Sequence, residues 1–387
     1  MSAAPAGFDV GELREREYPW AVRGEHVYMN NASTGPLPGR AVRALAAFNE
    51  ARARPWTISQ EEQFGVLTRS RELAARLIGS SPEEVAVMVN TSYGINLAAR
   101  SLPLEPGDVV LTFDREFPAN VYPWLRLQER GVEVELAPTT PEGWPDEDRL
   151  VERLGDPRVR LLAVSLVQFS NGWLADIARL SRAARANGVW LVVDAIQGIG
   201  QVPFDVRETP VDVLACGAQK WLLSPWGSGF TYVRRELIAQ LDPPAVSWMA
   251  FAGTDDFTRL TEYDPTLRAD ARRFEFITLP YQDFFGMARS MELIHELGVG
   301  QIRDHLARLR APLWEWARAR GVRIASPTDR HASGIVCLAP PDLVAAYRAL
   351  RAAGVVLSMR EGALRISPHA FNTEAEIARV IEVLDGA

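Results

Sequence analysis

From Val85 onward the sequence repeats one arrangement: a short, mostly apolar run, then turn residues, then a stretch with helical spacing. Seven such runs are Val85 to Val89, Val109 to Thr112, Val132 to Leu136, Leu161 to Ser165, Val189 to Val193, Val211 to Ala215 and Gly229 to Val233. A strand that is apolar along its length needs cover on both faces, and strands that alternate with helices pair largely in parallel. The pattern predicts an α/β fold, a mostly parallel seven-stranded sheet with helices on both faces. The stretch from Asp176 to Asn187 illustrates the intervening helices, with Asp176 as cap, Ile177, Leu180 and Ala184 on one face, and Gly188 as the stop. Ligands of such sheets bind outside the carboxyl ends of the strands, so the chemistry is to be sought there.

The flanks have a different texture. At 387 residues the chain exceeds one typical core. Residues 1–27 are mixed and charged and are expected to be ordered by packing against the small domain. Tyr28 begins a short strand that breaks into the polar turn Asn30-Asn31-Ala32-Ser33-Thr34-Gly35-Pro36. Helices are expected through Arg40 to Ala51 and Gly65 to Ile78, and Ser81-Pro82-Glu83-Glu84 carries an N-cap with a capping-box glutamate. After Thr278 come two long helical stretches, Asp283 to Leu297 and Gln301 to Arg320. A βαββα-like tail follows, Ile335 to Leu338, Asp342 to Ala353, Val355 to Met359, Ala363 to Ile366, and a helix capped by Thr373 with Glu376. The expected division is an N-terminal segment 1–27, a large domain 28–278 and a smaller α+β C-terminal domain 279–387.

Composition excludes several classes. A net charge of -7 with no basic block disfavours nucleic-acid binding. No apolar run approaches the ~20 residues of a membrane span, and the N-terminus has no signal-peptide pattern. Two cysteines, Cys216 and Cys337, both inside apolar runs, make no disulfide framework and favour a reducing, cytoplasmic setting. The histidines form no ligand pair beside an acid, so no metal site is expected.

Two strands deliver complementary groups to one edge. The run Val189 to Val193 ends on Asp194, and the run from Val211 leads through Gly217, Ala218 and Gln219 into Lys220. A carboxylate ending one buried strand and an amine following another suit pyridoxal phosphate, whose aldehyde bonds a lysine and whose ring nitrogen pairs with an acid. Taken singly, Lys220 is equally a snorkelling surface residue and Asp194 a turn cap. Asn90-Thr91-Ser92-Tyr93-Gly94 ends a strand and opens a helix, a place where free N–H groups and hydroxyls hold a phosphate, though an ordinary N-cap looks the same. Phe117, in the loop after the Val109 strand, could stack on the cofactor ring or simply pack its loop.

Val193-Asp194-Ala195-Ile196-Gln197 followed by Gln219-Lys220-Trp221 resembles the class V aminotransferase family of fold-type I pyridoxal phosphate enzymes, which includes cysteine desulfurases, kynureninases and isopenicillin N epimerase. The resemblance runs from about Tyr28 to the C-terminus. It implies that Lys220 holds the cofactor, Asp194 the ring nitrogen and Gln197 the phenolic oxygen, with Asn171 nearby. It assigns Thr91, Ser92 and Gln219 to the phosphate, Arg365 to the substrate carboxylate, and Asn31 to the same pocket. Thr278 matches a residue that reaches the phosphate of a partner subunit, which implies a homodimer. Where desulfurases carry histidines, this chain has Gln219 and Phe117, and Ser358-Met359-Arg360-Glu361-Gly362 offers no thiol, so persulfide chemistry is disfavoured. The implied function is that of an aminotransferase acting on an amino acid, with epimerisation and β-elimination (C–S lysis) left open. A dinucleotide-binding protein is the rival from another class, because Gly198-Ile199-Gly200 follows a strand, but Pro203 stands where the third glycine belongs.

Overall fold

The computed structural model describes residues 7–386, so the first six residues of the N-terminal segment lie outside it. Seven strands form the central sheet: β2 (Val85–Met88), β3 (Val109–Phe113), β4 (Glu133–Ala137), β5 (Val159–Ser165), β6 (Trp190–Asp194), β7 (Val213–Gly217) and β8 (Gly229–Val233), preceded in the chain by a short β1 (Val27–Tyr28). Their order is β2-β8-β7-β6-β5-β3-β4, and only β8 runs against its neighbours. All seven expected runs are strands of this sheet.

Alternate residues of each strand feed two separate cores, as the two-residue period requires. Leu191 and Val193 of β6 enter one cluster and Val192 the other. The helix Ile177–Ala186 has its buried face at Ile177, Leu180, Ser181 and Ala184, and Asp176 accepts the Arg179 N–H at 3.0 Å. Each fully buried Val or Leu contributes roughly 1.5–3 kcal/mol. The helix Tyr281–Leu297, expected to open the small domain, sends Phe284, Met287 and Ile294 into the same cluster as the sheet, and its Phe285 stacks on Phe48 at 4.7 Å between ring centres.

The second sheet has the order β12-β13-β10-β9, from β9 (Arg323–Ile324), β10 (Val336–Ala339), β12 (Ser358–Arg360) and β13 (Ala363–Ile366). The run Val355 to Met359, expected as one strand, is two. Val355–Val356 is β11 and pairs in parallel with β1, whereas β12 turns away to pair with β13. Val336, Leu338, Leu364 and Ile366 fill a third core, and the opposite face carries Cys337 and Arg365 toward the large sheet. The N-terminal helix Val10–Glu17 is tied to the C-terminal helix by Arg14, which pairs with Glu376 at 2.8 Å. The helix expected from Gly65 begins earlier, at Gln60, because Ser59 caps it by accepting the Glu62 N–H.

Edge strand β2 has an outward N–H to satisfy, and Glu275 does so. Its carboxylate accepts from Val87 N at 2.9 Å and takes both Nε and Nη2 of buried Arg71 at 2.6 and 2.7 Å. Removing one member of such a pair strands the other charge inside the protein. Glu275→Ala is expected to cost about 3–5 kcal/mol, read as a lower urea midpoint at unchanged slope.

Candidate active site

The carboxyl ends of β5, β6 and β7 lie side by side, with Ser165 opposite Asp194 and Asp194 opposite Ala215. Lys220 follows β7 by three residues, so both groups of interest stand at one sheet edge. Asp194 is 2% exposed; its Oδ1 accepts the Ile196 N–H at 3.0 Å and its Oδ2 accepts nothing among the described residues. Burial pushes its carboxyl up to about 6, against the pull of the Ile196 N–H and the Lys220 charge. The Lys220 amine makes no hydrogen bond or ion pair among the described residues. Burial lowers it to about 8, opposed by Asp194 and assisted by Arg365 and Arg360. An amine and an acid sharing a buried edge without pairing is the donor set that a ring nitrogen and an aldehyde between them would satisfy.

The turn after β1 completes the floor. Gly35 donates its N–H to Gln219 O at 2.8 Å, and a Cβ there would sit only 2.2 Å from Lys220 O, so no other residue fits that approach. Gln197 is fixed at both ends, accepting from Trp221 Nε1 at 2.8 Å and donating to Ala32 O at 2.9 Å, which leaves one amide N–H free. Thr91 is buried and its hydroxyl accepts the Gly217 N–H at 2.8 Å. A Cβ on Gly217 would meet Gln219 Oε1, Ile196 and Thr91 Oγ1 together, so the ends of three segments converge on that glycine. Ser92 is exposed at the start of the helix Thr91–Ser101, where Asn90 caps only the Tyr93 N–H and those of Thr91 and Ser92 have no acceptor among the described residues. Phe117 is 43% exposed, packs edge-on against Phe169 and has the Lys220 Nζ 5.5 Å from its ring centre.

Arg365 reaches the same edge from β13. Its Nη1 donates to Phe169 O and its Nη2 to Ser33 Oγ, each at 2.8 Å, while Nε is buried without a partner. Asn31 is fully buried, donates to Ser367 O at 3.2 Å, and its Oδ1 also has no partner. Asn171 spends its amide on two loops, donating to Gly143 O, 28 residues away in sequence, and accepting from Trp173 N, both at 3.0 Å. Thr278 is exposed on the segment after Glu275, and its hydroxyl makes no bond among the described residues.

Glu116 was not among the expected residues. It is 5% exposed and accepts from Ser165 N at 2.7 Å, Ser165 Oγ at 2.5 Å and Gln168 Nε2 at 2.8 Å. It thereby pins the Phe117 loop to the end of β5. Burial raises its carboxyl to about 7; the Ser165 and Gln168 donors oppose this and the nearby Asp194 charge adds to it. A charged residue in a polar loop reads as solvated, and its partners lie 49 and 52 residues away, so no local pattern points to it. The two cysteines are core residues, at 1% and 0% exposure; burial raises both thiols, Cys337 to about 12.

The sequence matches the profile of the family described as Aminotransferase class-V over residues 27–380. It is 30% identical to YcbU of Bacillus subtilis, described as an uncharacterized aminotransferase, covering 92% of this chain and 93% of that one. It is also 30% identical to the isopenicillin N epimerase of Streptomyces clavuligerus, over 93% and 94%. In structure it resembles the apo cysteine desulfurase of Thermococcus onnurineus NA1, with a TM-score of 0.85 at 22% identity and full coverage of both chains. The cystine C–S lyase C-DES, in complex with cysteine persulfide, superposes with a TM-score of 0.84 at 21% identity over 93% and 97%. With the family match spanning nearly the whole chain and relatives at this identity over nine-tenths of their length, the chain belongs to the class-V aminotransferases, a family of pyridoxal 5'-phosphate enzymes.

Proposed function

We propose that this enzyme acts on an α-amino acid, with Lys220 as the residue that bonds the cofactor, and that transamination is its reaction. The observation that carries the reading is the part-buried Lys220 amine, unpaired among the described residues, beside the buried Asp194 at the carboxyl edge of the sheet. When bound, pyridoxal phosphate supplies an electron sink for negative charge developing at the substrate's α-carbon. Asp194 would accept from the ring N–H, and an acid already surrounded by protein loses little solvation in doing so. The free N–H groups of Thr91 and Ser92, with Gln219, would hold the phosphate at the helix start. Phe117 would cover the ring, the remaining Gln197 N–H would donate to its phenolic oxygen, and Asn171 would lie nearby.

On the substrate side, the open Nε of Arg365 and the Oδ1 of Asn31 would take the carboxylate and its neighbouring donor. Lys220 Nζ, neutral above about pH 8, would remove the α-proton as general base. Thr278, without a partner among the described residues, would donate to the phosphate held by a second copy, so the working form would be a homodimer. Persulfide formation is not part of the reading, because Cys216 and Cys337 are buried and the β12–β13 turn carries no thiol. Epimerisation is the second reading, supported by the similarity to isopenicillin N epimerase over nearly the whole chain. The test is incubation of the holoenzyme with a panel of amino acids in deuterated water. Keto acid appearing with amino-group transfer supports transamination, and deuterated substrate of inverted configuration supports epimerisation. No exchange at the α-carbon of any amino acid would defeat the proposal.

A further inference from the structure

We propose that a cavity at the seam between the two sheets is a second anion site, taking a small ligand with phosphate or carboxylate oxygens through Arg310. The cavity encloses about 320 Å³, within the range of small-molecule sites, and none of its lining residues belongs to the cofactor and substrate sets above. Three arginines line it: Arg303, Arg310 and Arg330. Two are neutralised, Arg303 by Asp304 at 2.8 Å and Arg330 by Asp176 at 2.9 Å. Arg310, on the helix Val299–Ala319, has no carboxylate within ion-pair reach among the described residues. The one acid in the lining, Asp329, directs Oδ1 to the His331 N–H at 2.9 Å.

Arg310 is held in place by groups that leave its charge unanswered. Its Nη1 donates to Ser333 O at 2.9 Å, its guanidinium carbon lies 5.1 Å from the centre of the Trp314 ring, and its Nε is buried with no acceptor. Arg365 shows the same combination: one nitrogen on a backbone carbonyl, a buried Nε without a partner and no acid nearby. A partly buried guanidinium without a counter-charge is costly, and a planar oxyanion docked on the fork would offset that cost. Leu174, Val202 and Leu306 give the cavity an apolar floor, so the ligand is expected to be an organic anion or a bare oxyanion of comparable size. The site is independent of the amino-acid chemistry proposed above.

The experiment is thermal melting of the holoenzyme against increasing inorganic phosphate and, separately, malonate. Loaded cofactor keeps free phosphate from reporting on the Thr91 helix. The wild type is expected to show a saturable rise in melting temperature with at least one of the two anions. Arg310→Met is expected to weaken the effect at least ~10-fold, as loss of a charged hydrogen-bond donor implies. Arg365→Ala is expected to remove only what malonate gains at the proposed substrate site and to leave the Arg310-dependent part of the response, and all of it for any anion that does not occupy that site, unchanged. Arg310→Lys keeps the charge without the fork and is expected to fall between, and it decides the matter if the methionine variant does not fold. Equal responses in wild type and the Arg310 variants, no saturable response in wild type, or loss of the response in Arg365→Ala alone would each overturn the proposal.

Discussion

Lys220→Ala is expected to fold, to bind pyridoxal phosphate without a covalent bond, and to turn over amino acids at least ~10³-fold more slowly, since both the nucleophile and the general base are gone. Stability should be unchanged or slightly higher, because the variant no longer partly buries an amine that pairs with nothing among the described residues. The cofactor-free wild type offers a pH arm. Burial holds the Lys220 amine near 8 instead of its ordinary 10.5, so the reactive neutral form accumulates as pH rises through about 8. Covalent uptake of the cofactor should therefore accelerate from pH 7 to pH 9 and level off well below the range of a free lysine. Stopped-flow absorbance checks this, and a rate still climbing near pH 10.5 would mean that the amine is not desolvated.

Arg365→Ala is expected to raise KM for amino acids about 10²-fold, which corresponds to ~2.7 kcal/mol, with a smaller fall in kcat. Amines lacking a carboxylate should lose nothing, and that contrast separates substrate binding from general damage. Arg365→Lys should recover only part of the loss, because a single ammonium cannot span both carboxylate oxygens. The variant also removes the bonds to Phe169 O and Ser33 Oγ, so cofactor absorbance and melting temperature must be measured alongside. An unchanged KM for carboxylate substrates would remove Arg365 from the site.

The central sheet was legible because strand burial is nearly complete: β2, β3, β7 and β8 are buried at every position, and a continuous apolar run is how that appears in sequence. The split of Val355 to Met359 into β11 and β12 was not, because both halves are β-forming and only their partners, β1 and β13, differ. The Asp194 and Lys220 pair could be read from its position at two strand ends. A stronger signal for Lys220 was also present: it is the only lysine among the 42 Lys and Arg residues of the chain. Glu116 and Arg310 stayed hidden for a shared reason. Each sits in a stretch that reads as solvated, and its environment is built by residues far away in the sequence, Ser165 and Gln168 for one and Ser333 for the other.

That single lysine makes the central claim directly measurable. The holoenzyme is reduced with borohydride, dialysed and examined by intact mass and peptide mapping. The account predicts one cofactor bonded per chain, on the peptide containing Gln219-Lys220-Trp221, with the yellow colour of the lysine-bound cofactor lost on reduction. A protein that takes up no pyridoxal phosphate, or carries it only on the N-terminal amine, would contradict it.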